Sequence, residues 1–368
     1  MKFDTLLIMN KIYLAIALSA VSISLVAQSI SDTVSTKVFG IDGRIKTVKE
    51  MTYYCADRNG EIVIVSFAEK KDFANKIADY KTNHTYIFDT KGRMISKEEY
   101  SSPKTPCIKT IVNYDGSRVT QIVSTYYFSD IGTKTAKEVF NYDTKGFLTQ
   151  ESHYSIWGNL TTRIVYAYDS YGNMTSKKEY DGNGDLGDYV IITYKYSKDG
   201  AIEYKQEKQH DNLVGNNVYT YYYDVEGRII RERHDWDNST IRNYYHSYDD
   251  SNRLVESLDK YTDETTIIGT VSYTYDSLGQ LVSVKHIYSW WTQINYLEDG
   301  VWVENSYKSG KLELVKKYKG NRLVLVIADG DTYTYEYKDD HRGNWVQVVE
   351  RKNTVPTLLK KRTITYYN

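Results

Sequence analysis

One short pattern limits what this chain can fold into more than any other feature: an aromatic residue, then two places on Tyr or Phe, then Asp, two variable residues and Gly. It reads as Tyr86-Ile87-Phe88-Asp89-Thr90-Lys91-Gly92, as Phe140-Asn141-Tyr142-Asp143-Thr144-Lys145-Gly146 and as Tyr166-Ala167-Tyr168-Asp169-Ser170-Tyr171-Gly172. It returns as Tyr221-Tyr222-Tyr223-Asp224-Val225-Glu226-Gly227 and Tyr273-Thr274-Tyr275-Asp276-Ser277-Leu278-Gly279. A variant, Tyr194-Lys195-Tyr196-Ser197-Lys198-Asp199-Gly200, has Ser in the Asp place. Degenerate copies lie at Asn113-Tyr114-Asp115-Gly116, at Tyr248-Asp249 with Asn252 in the glycine place, and at Tyr335-Glu336-Tyr337 with Gly343 after a longer loop. Counting Ser197, the aspartate sites fall at 89, 115, 143, 169, 197, 224, 249 and 276, a period of 25 to 28 residues.

Each part of the pattern has a physical task. Aromatic residues two apart share one face of a strand and pack against the pair on the next. Asp opens a type I turn by accepting a backbone hydrogen bond two residues on, and the glycine adopts the left-handed conformation that closes it; Asn tolerates that conformation, which explains Asn252. The chain then returns in a second strand, as in Met94–Tyr100 or Leu281–Tyr288. One repeat is one hairpin. The predicted fold is therefore all-β: tandem antiparallel hairpins forming one extended, twisted and curled meander sheet of roughly eighteen to twenty-two strands. The tyrosine ladder should face inward and a Lys/Glu-rich face should meet water. Composition agrees, with 38 Tyr against 8 Phe and only 3 Pro.

Residues 1–28 read as a signal peptide: Asn10-Lys11, an apolar run from Ile12 to Val26, and an Ala27-Gln28-Ser29 exit, too short and poorly flanked for a membrane span. Residues 29–83 are predicted to form an N-terminal capping hairpin, turning at Asp57-Arg58-Asn59-Gly60, and a connecting segment. The regular array covers 84–290, and 291–368 holds degenerate C-terminal repeats and a cap. A formal net charge of −1 leaves no field to draw phosphate backbones, so nucleic acid is not an expected partner. Export places the chain in the periplasm, at the cell surface or outside the cell.

The Y-x-Y-D-x-x-G pattern at this period resembles the YD repeat of the Rhs family of bacterial exported and cell-surface proteins. The resemblance covers about residues 84–350. It implies a continuous coiling sheet of hairpins, which in long members forms a shell around a toxin. This chain differs in having fewer repeats than a closed shell is expected to need, no proline-rich core signature (its prolines are Pro103, Pro106 and Pro356) and no non-repeat C-terminal domain. It looks more like the short signal-bearing members, for which the resemblance implies a fold and an address.

No catalytic constellation is expected, because the turn explains each repeat aspartate. A glycosidase would need two carboxylates facing one cleft, and His84, His153, His210, His234, His246, His286 and His341 lack zinc-ligand spacing. Asp181, Asn183, Asp185 and Asp188 alternate as oxygen ligands of a calcium loop do, but Leu186 stands where the loop glycine belongs and Ile192 where the bidentate acid belongs. Calcium is thus the single cofactor candidate, against a plain polar hairpin loop. In an in-register ladder Cys55 and Cys107 would lie about 20 Å apart along the strands, which favours two free thiols over a disulfide. Trp290-Trp291 is the candidate ligand-binding pair, since adjacent strand residues point to opposite faces and one should be outward. A transmembrane barrel is excluded on the reading that Lys177, Lys178 and Glu179, and Lys205, Glu207 and Lys208, lie on an outward face, at about 2 to 4 kcal/mol for each charge at a bilayer midplane. The expected role is a non-enzymatic exported scaffold binding a protein or a cell-surface glycan. A carbohydrate-binding module using exposed aromatics is the first alternative, an envelope hydrolase the second.

Overall fold

A computed structural model describes residues 43–67, 83–102, 104–209, 217–236, 240–261 and 265–367. The expected leader at 1–28, residues 68–82 of the connecting segment, Pro103 and His210 lie outside them. The described chain divides into two compact units, the first comprising Ala167–Glu179 and Leu186–Asp331, the second the chain up to Tyr166 together with Tyr180–Asp185 and Thr332–Asn368.

The turn works as the motif predicts. Asp89 Oδ1 accepts from the backbone N–H of Lys91 at 2.9 Å and of Arg93 at 3.0 Å, while the Gly92 N–H donates to the Asp89 carbonyl at 3.0 Å. The same arrangement recurs at Asp224, Asp249 and Asp276. Gly92 has φ 78° and Asn252 φ 60°, the left-handed region Asn was expected to tolerate. The copy around Tyr335 and Tyr337 is complete: Asp340 supplies the carboxylate and Gly343 the closing residue, after a bulge between Lys338 and Asp339.

The excess of Tyr over Phe has a direct cause. In five motifs the second aromatic reaches back one repeat, and its hydroxyl donates to the carbonyl at the start of the previous return strand. Tyr114 donates to Met94 at 2.7 Å and Tyr142 to Val119 at 2.9 Å in the second unit; in the first, Tyr223 donates to Ile202 at 2.6 Å, Tyr248 to Ile229 at 2.8 Å and Tyr275 to Leu254 at 2.9 Å. Phe would pack as well but leave that carbonyl without its donor. Tyr248→Phe is therefore expected to lower stability by about 1 kcal/mol, read from the urea midpoint, whereas removing the exposed Tyr171 ring should leave the midpoint unchanged.

The predicted open meander is corrected by the first strand. Ile45–Arg58 pairs antiparallel with the last strand, Val355–Tyr366, along one edge. Along the other it pairs first with His84–Phe88, through Thr47 to Glu50, and then with Glu61–Phe67, through Tyr53 to Arg58. The 25 strands among the described residues belong to one sheet. Hydrogen bonds followed from His84–Phe88 to Val355–Tyr366 return through Ile45–Arg58, so the fold is a closed antiparallel barrel of 24 strands with Glu61–Phe67 as a side branch. The expected count of eighteen to twenty-two strands was too low. Closure removes the two long edges that an open array would expose to other chains.

The seam in the second unit is polar as well as hydrogen-bonded. Glu50 and Arg362, directly opposed across the first and last strands, are 3% and 7% exposed. Arg362 Nε donates to Glu50 Oε1 at 2.7 Å, Lys360 Nζ lies 3.0 Å from Glu50 Oε2, and the guanidinium sits 3.5 Å over the Trp345 ring. Beside them His84 faces Glu99 at 3.7 Å, and Tyr367 donates to the Phe88 carbonyl at 2.6 Å.

The buried face is not purely aromatic, a second correction. Lys205, predicted to point outward, is 3% exposed and forms an ion pair of 2.5 Å with Glu207, also buried. The argument that this pair would face lipid therefore fails; of that segment Lys208 is the exposed charge.

Candidate binding site

Trp290 and Trp291 lie in the first unit, where Leu281–Tyr288 turns into Trp291–Glu298. The bend is pinned by the Ser309 N–H, which donates to the Trp290 carbonyl at 3.1 Å. Trp290 is 65% exposed and its ring centroid lies 6.5 Å from that of half-buried Trp291. Trp291 in turn meets Tyr288 at 5.9 Å and His286 at 6.0 Å. Gly269 makes this possible: a Cβ there would fall 2.3 Å from Tyr288 Cε1, so the ring lies flat on bare backbone. Burial raises the Tyr288 hydroxyl pKa and lowers that of His286, so both are neutral near pH 7. The result is an aromatic platform with one open indole, with Lys308 directly across from Trp291, suited to stacking on a sugar ring or an apolar side chain.

The Asp181 loop is the same turn placed at the other end of a hairpin. Asp181 Oδ1 accepts from the N–H groups of Asn183 and Asp185, both at 2.9 Å, and Gly184 closes the turn with φ 93°. Those backbone hydrogen bonds, the Asp185 N–H first, lower the Asp181 pKa. Asn183 and Asp185 thus face Asp181 through backbone amides, while Asp188 lies in the following strand, Leu186–Tyr196. Among the described residues no group of three or more His, Cys, Asp or Glu side chains is placed to hold a metal ion. Cys55 and Cys107 are both free thiols; Cys55 is buried against Val349 and Leu359.

Sequence reading missed one cluster. In the first unit Glu232 lies between two histidines, 3.0 Å from His234 Nε2 and 3.1 Å from His246 Nε2. Burial opposes its ionisation, yet the hydrogen bonds from the two imidazoles hold its pKa at about 2. His246 also meets Ser257 at 2.9 Å, and Arg242 pairs with Asp259 at 3.0 Å. Burial raises the Asp259 pKa against the pull of Arg242. The available signal was period two: Glu232 and His234 share a face, and Tyr244 and His246 share the facing one.

No known protein-family profile and no curated protein matches this chain in sequence. Among solved structures it is similar to a chain of "Crystal Structure of TcdB2-TccC3-Cdc42", with 10% identity over 85% of this chain and 20% of that one, at a TM-score of 0.37. It is also similar to a porin-like protein from Bacteroides uniformis ATCC 8492, with 15% identity over 67% of this chain and 97% of that one, at a TM-score of 0.23. A porin-like protein from Bacteroides vulgatus ATCC 8482 matches at 13% identity and a TM-score of 0.16. The chain thus spans about a fifth of the length of the first of these.

Proposed function

We propose that this is a non-enzymatic, exported repeat protein of the YD type that works as a binding scaffold at the cell envelope or outside the cell. The observation that carries this reading is the Trp290 platform, a large exposed indole backed by Trp291, Tyr288 and His286 and fixed by backbone contacts. Supporting it, the turn acids are spent on structure: their carboxylates accept backbone N–H groups and, at Asp89, Asp224 and Asp249, an arginine. Among the described residues no helix is long and apolar enough to cross a membrane. The strand face opposite the buried one carries Lys208, Arg231, Arg233, Lys260 and Lys285, charges that a lipid-facing wall would have to desolvate at about 2 to 4 kcal/mol each. Stacking on a sugar is the second reading, favoured by the coupled indoles of Trp290 and Trp291.

The test is retention of the chain lacking residues 1–28 on cell-envelope fractions and on a glycan array, beside a Trp290→Ala, Trp291→Ala double variant. The expected result is saturable envelope binding weakened at least tenfold in the variant. Binding to one glycan class would select the carbohydrate reading, and envelope retention without glycan binding a protein partner. Equal retention of both proteins would remove the platform from the function.

A further inference from the structure

The repeats carry a lock that the motif as first read does not include. In three repeats an arginine four residues after the turn aspartate reaches over the second tyrosine of the next repeat. Arg93 lies 4.4 Å from the centre of the Tyr114 ring, Arg228 4.9 Å from Tyr248 and Arg253 4.7 Å from Tyr275. Each is aimed by its own turn acid, with Nε donating to Oδ2 of Asp89 at 2.8 Å, of Asp224 at 2.6 Å and of Asp249 at 2.7 Å. Where the residue is Asn173 or Asn344, its amide donates to the hydroxyl of Tyr196 or Tyr366 at 2.8 Å instead.

One copy has lost both halves of the lock together. Ser197 replaces the acid and Ala201 the base. The turn itself survives, because Ser197 Oγ accepts from the Ala201 N–H at 3.0 Å. Nothing at position 201 can reach Tyr223, and at that place the first unit has an open cavity of about 820 Å³ lined by Ala201, Tyr204, Tyr221 and Tyr223. Its charged lining is mostly acidic: Asp199, Glu203 and Asp224, against Lys195, which pairs with Glu203 at 3.2 Å. Asp199 is exposed. The Tyr221 hydroxyl, on a buried side chain of the same lining, has no hydrogen-bond partner.

We infer that the gap between Ala201 and Tyr223 is a docking pocket for an arginine side chain of a partner protein. The neighbouring repeats define the occupant: a guanidinium over the tyrosine ring and against a carboxylate is what the chain builds for itself at Tyr114, Tyr248 and Tyr275. At Tyr223 the ring is present, Ser197 stands in place of the turn acid, the carboxylate offered is Asp199 of the lining, and the cation is absent from the sequence. A guanidinium stacks on Tyr and pairs with Asp199 in one pose, which an ammonium does less well. The pocket is separate from the Trp290 platform and stands or falls apart from it.

The experiment is a titration of the protein, followed by NMR or by tyrosine fluorescence, with acetyl-Gly-Arg-Gly-amide, its Lys and Gln counterparts, and cellobiose as a neutral polyhydroxyl probe. Saturable binding of the Arg peptide, at least tenfold tighter than the Gln peptide, is expected. Ala201→Arg should supply the missing side chain in cis and weaken the Arg peptide at least tenfold while leaving the fold intact. Arg253→Ala should open an equivalent gap over Tyr275 and add a second site. Trp290→Ala should change none of this. Absence of saturable Arg binding, equal binding by Ala201→Arg, or selective binding of cellobiose in place of the Arg peptide would overturn the assignment.

Discussion

Arg362→Ala is expected to destabilise the protein by about 3 kcal/mol or more and to open the sheet at its seam, because it leaves a buried carboxylate short of one of its two cationic partners. Glu50 is 3% exposed, and burial by itself would raise its pKa; the charges of Lys360 and Arg362 reverse that and hold it below the usual carboxylate range. Lys360 alone, 19% exposed, can neutralise part of the charge but cannot replace the two-nitrogen contact. The guanidinium also covers Trp345, so packing is lost with the charge. Urea unfolding should register the loss, and hydrogen exchange should localise it to the amides of Val48 to Met51 and their partners Lys361 to Ile364. A Glu50→Gln, Arg362→Met double variant should recover most of the stability, since removing both charges removes the desolvation penalty with the attraction. A change below about 1 kcal/mol in Arg362→Ala would mean that the backbone ladder closes the ring without the ion pair.

Acid is expected to have the next largest effect, and its direction follows from three carboxylates. The contact with His84, then that with Lys97, bring the Glu99 pKa down to about 2 against burial. Glu232 is opposed by burial but held at about 2 by His234 and His246, and Glu50 is lowered as described. In the unfolded chain each returns to about 4.3. A folded value below the unfolded one means that the unfolded state binds more protons at low pH. The stabilisation is therefore complete above about pH 4.5 and drains away as pH falls toward about 2. Unfolding midpoints should fall steeply as pH drops below about 4.5, and the lowered pKa of His286 adds a loss that begins as pH drops below about 6.5. Glu232→Gln should lower the midpoint at pH 7 and flatten the acid limb; an unchanged limb would mean that the two histidines do not hold this carboxylate ionised.

Local structure was legible because every turn carries its own chemistry. Asp89, Gly92 and Asn252 specify the hairpin from within seven residues, and the structure uses them so. The same logic explains why the Asp181 loop is a turn. Trp290 is exposed, but it lies in the bend between two strands and packs beside Trp291, so alternation along a strand is not the cause. Cross-strand partners were less legible, since Glu232 meets His246 only once Ile229–Trp236 and Thr240–Tyr248 are paired in register. The outward placement of Lys205 failed for a related reason: a bulge between Lys195 and Tyr196 shifts the pairing, and a shift of one residue exchanges the faces of a strand.

The amino-acid sequence by itself determined the hairpin unit, its period, its antiparallel sense and the need for tyrosine rather than phenylalanine chemistry, because these depend on contacts within a repeat or between neighbours. The tertiary structure alone decided that the sheet closes and that charges line its buried face. Closure pairs the first and last strands and brings Glu50 to Arg362 across 312 residues of chain, and no local preference encodes a contact whose geometry is the sum of every twist and bulge between its ends.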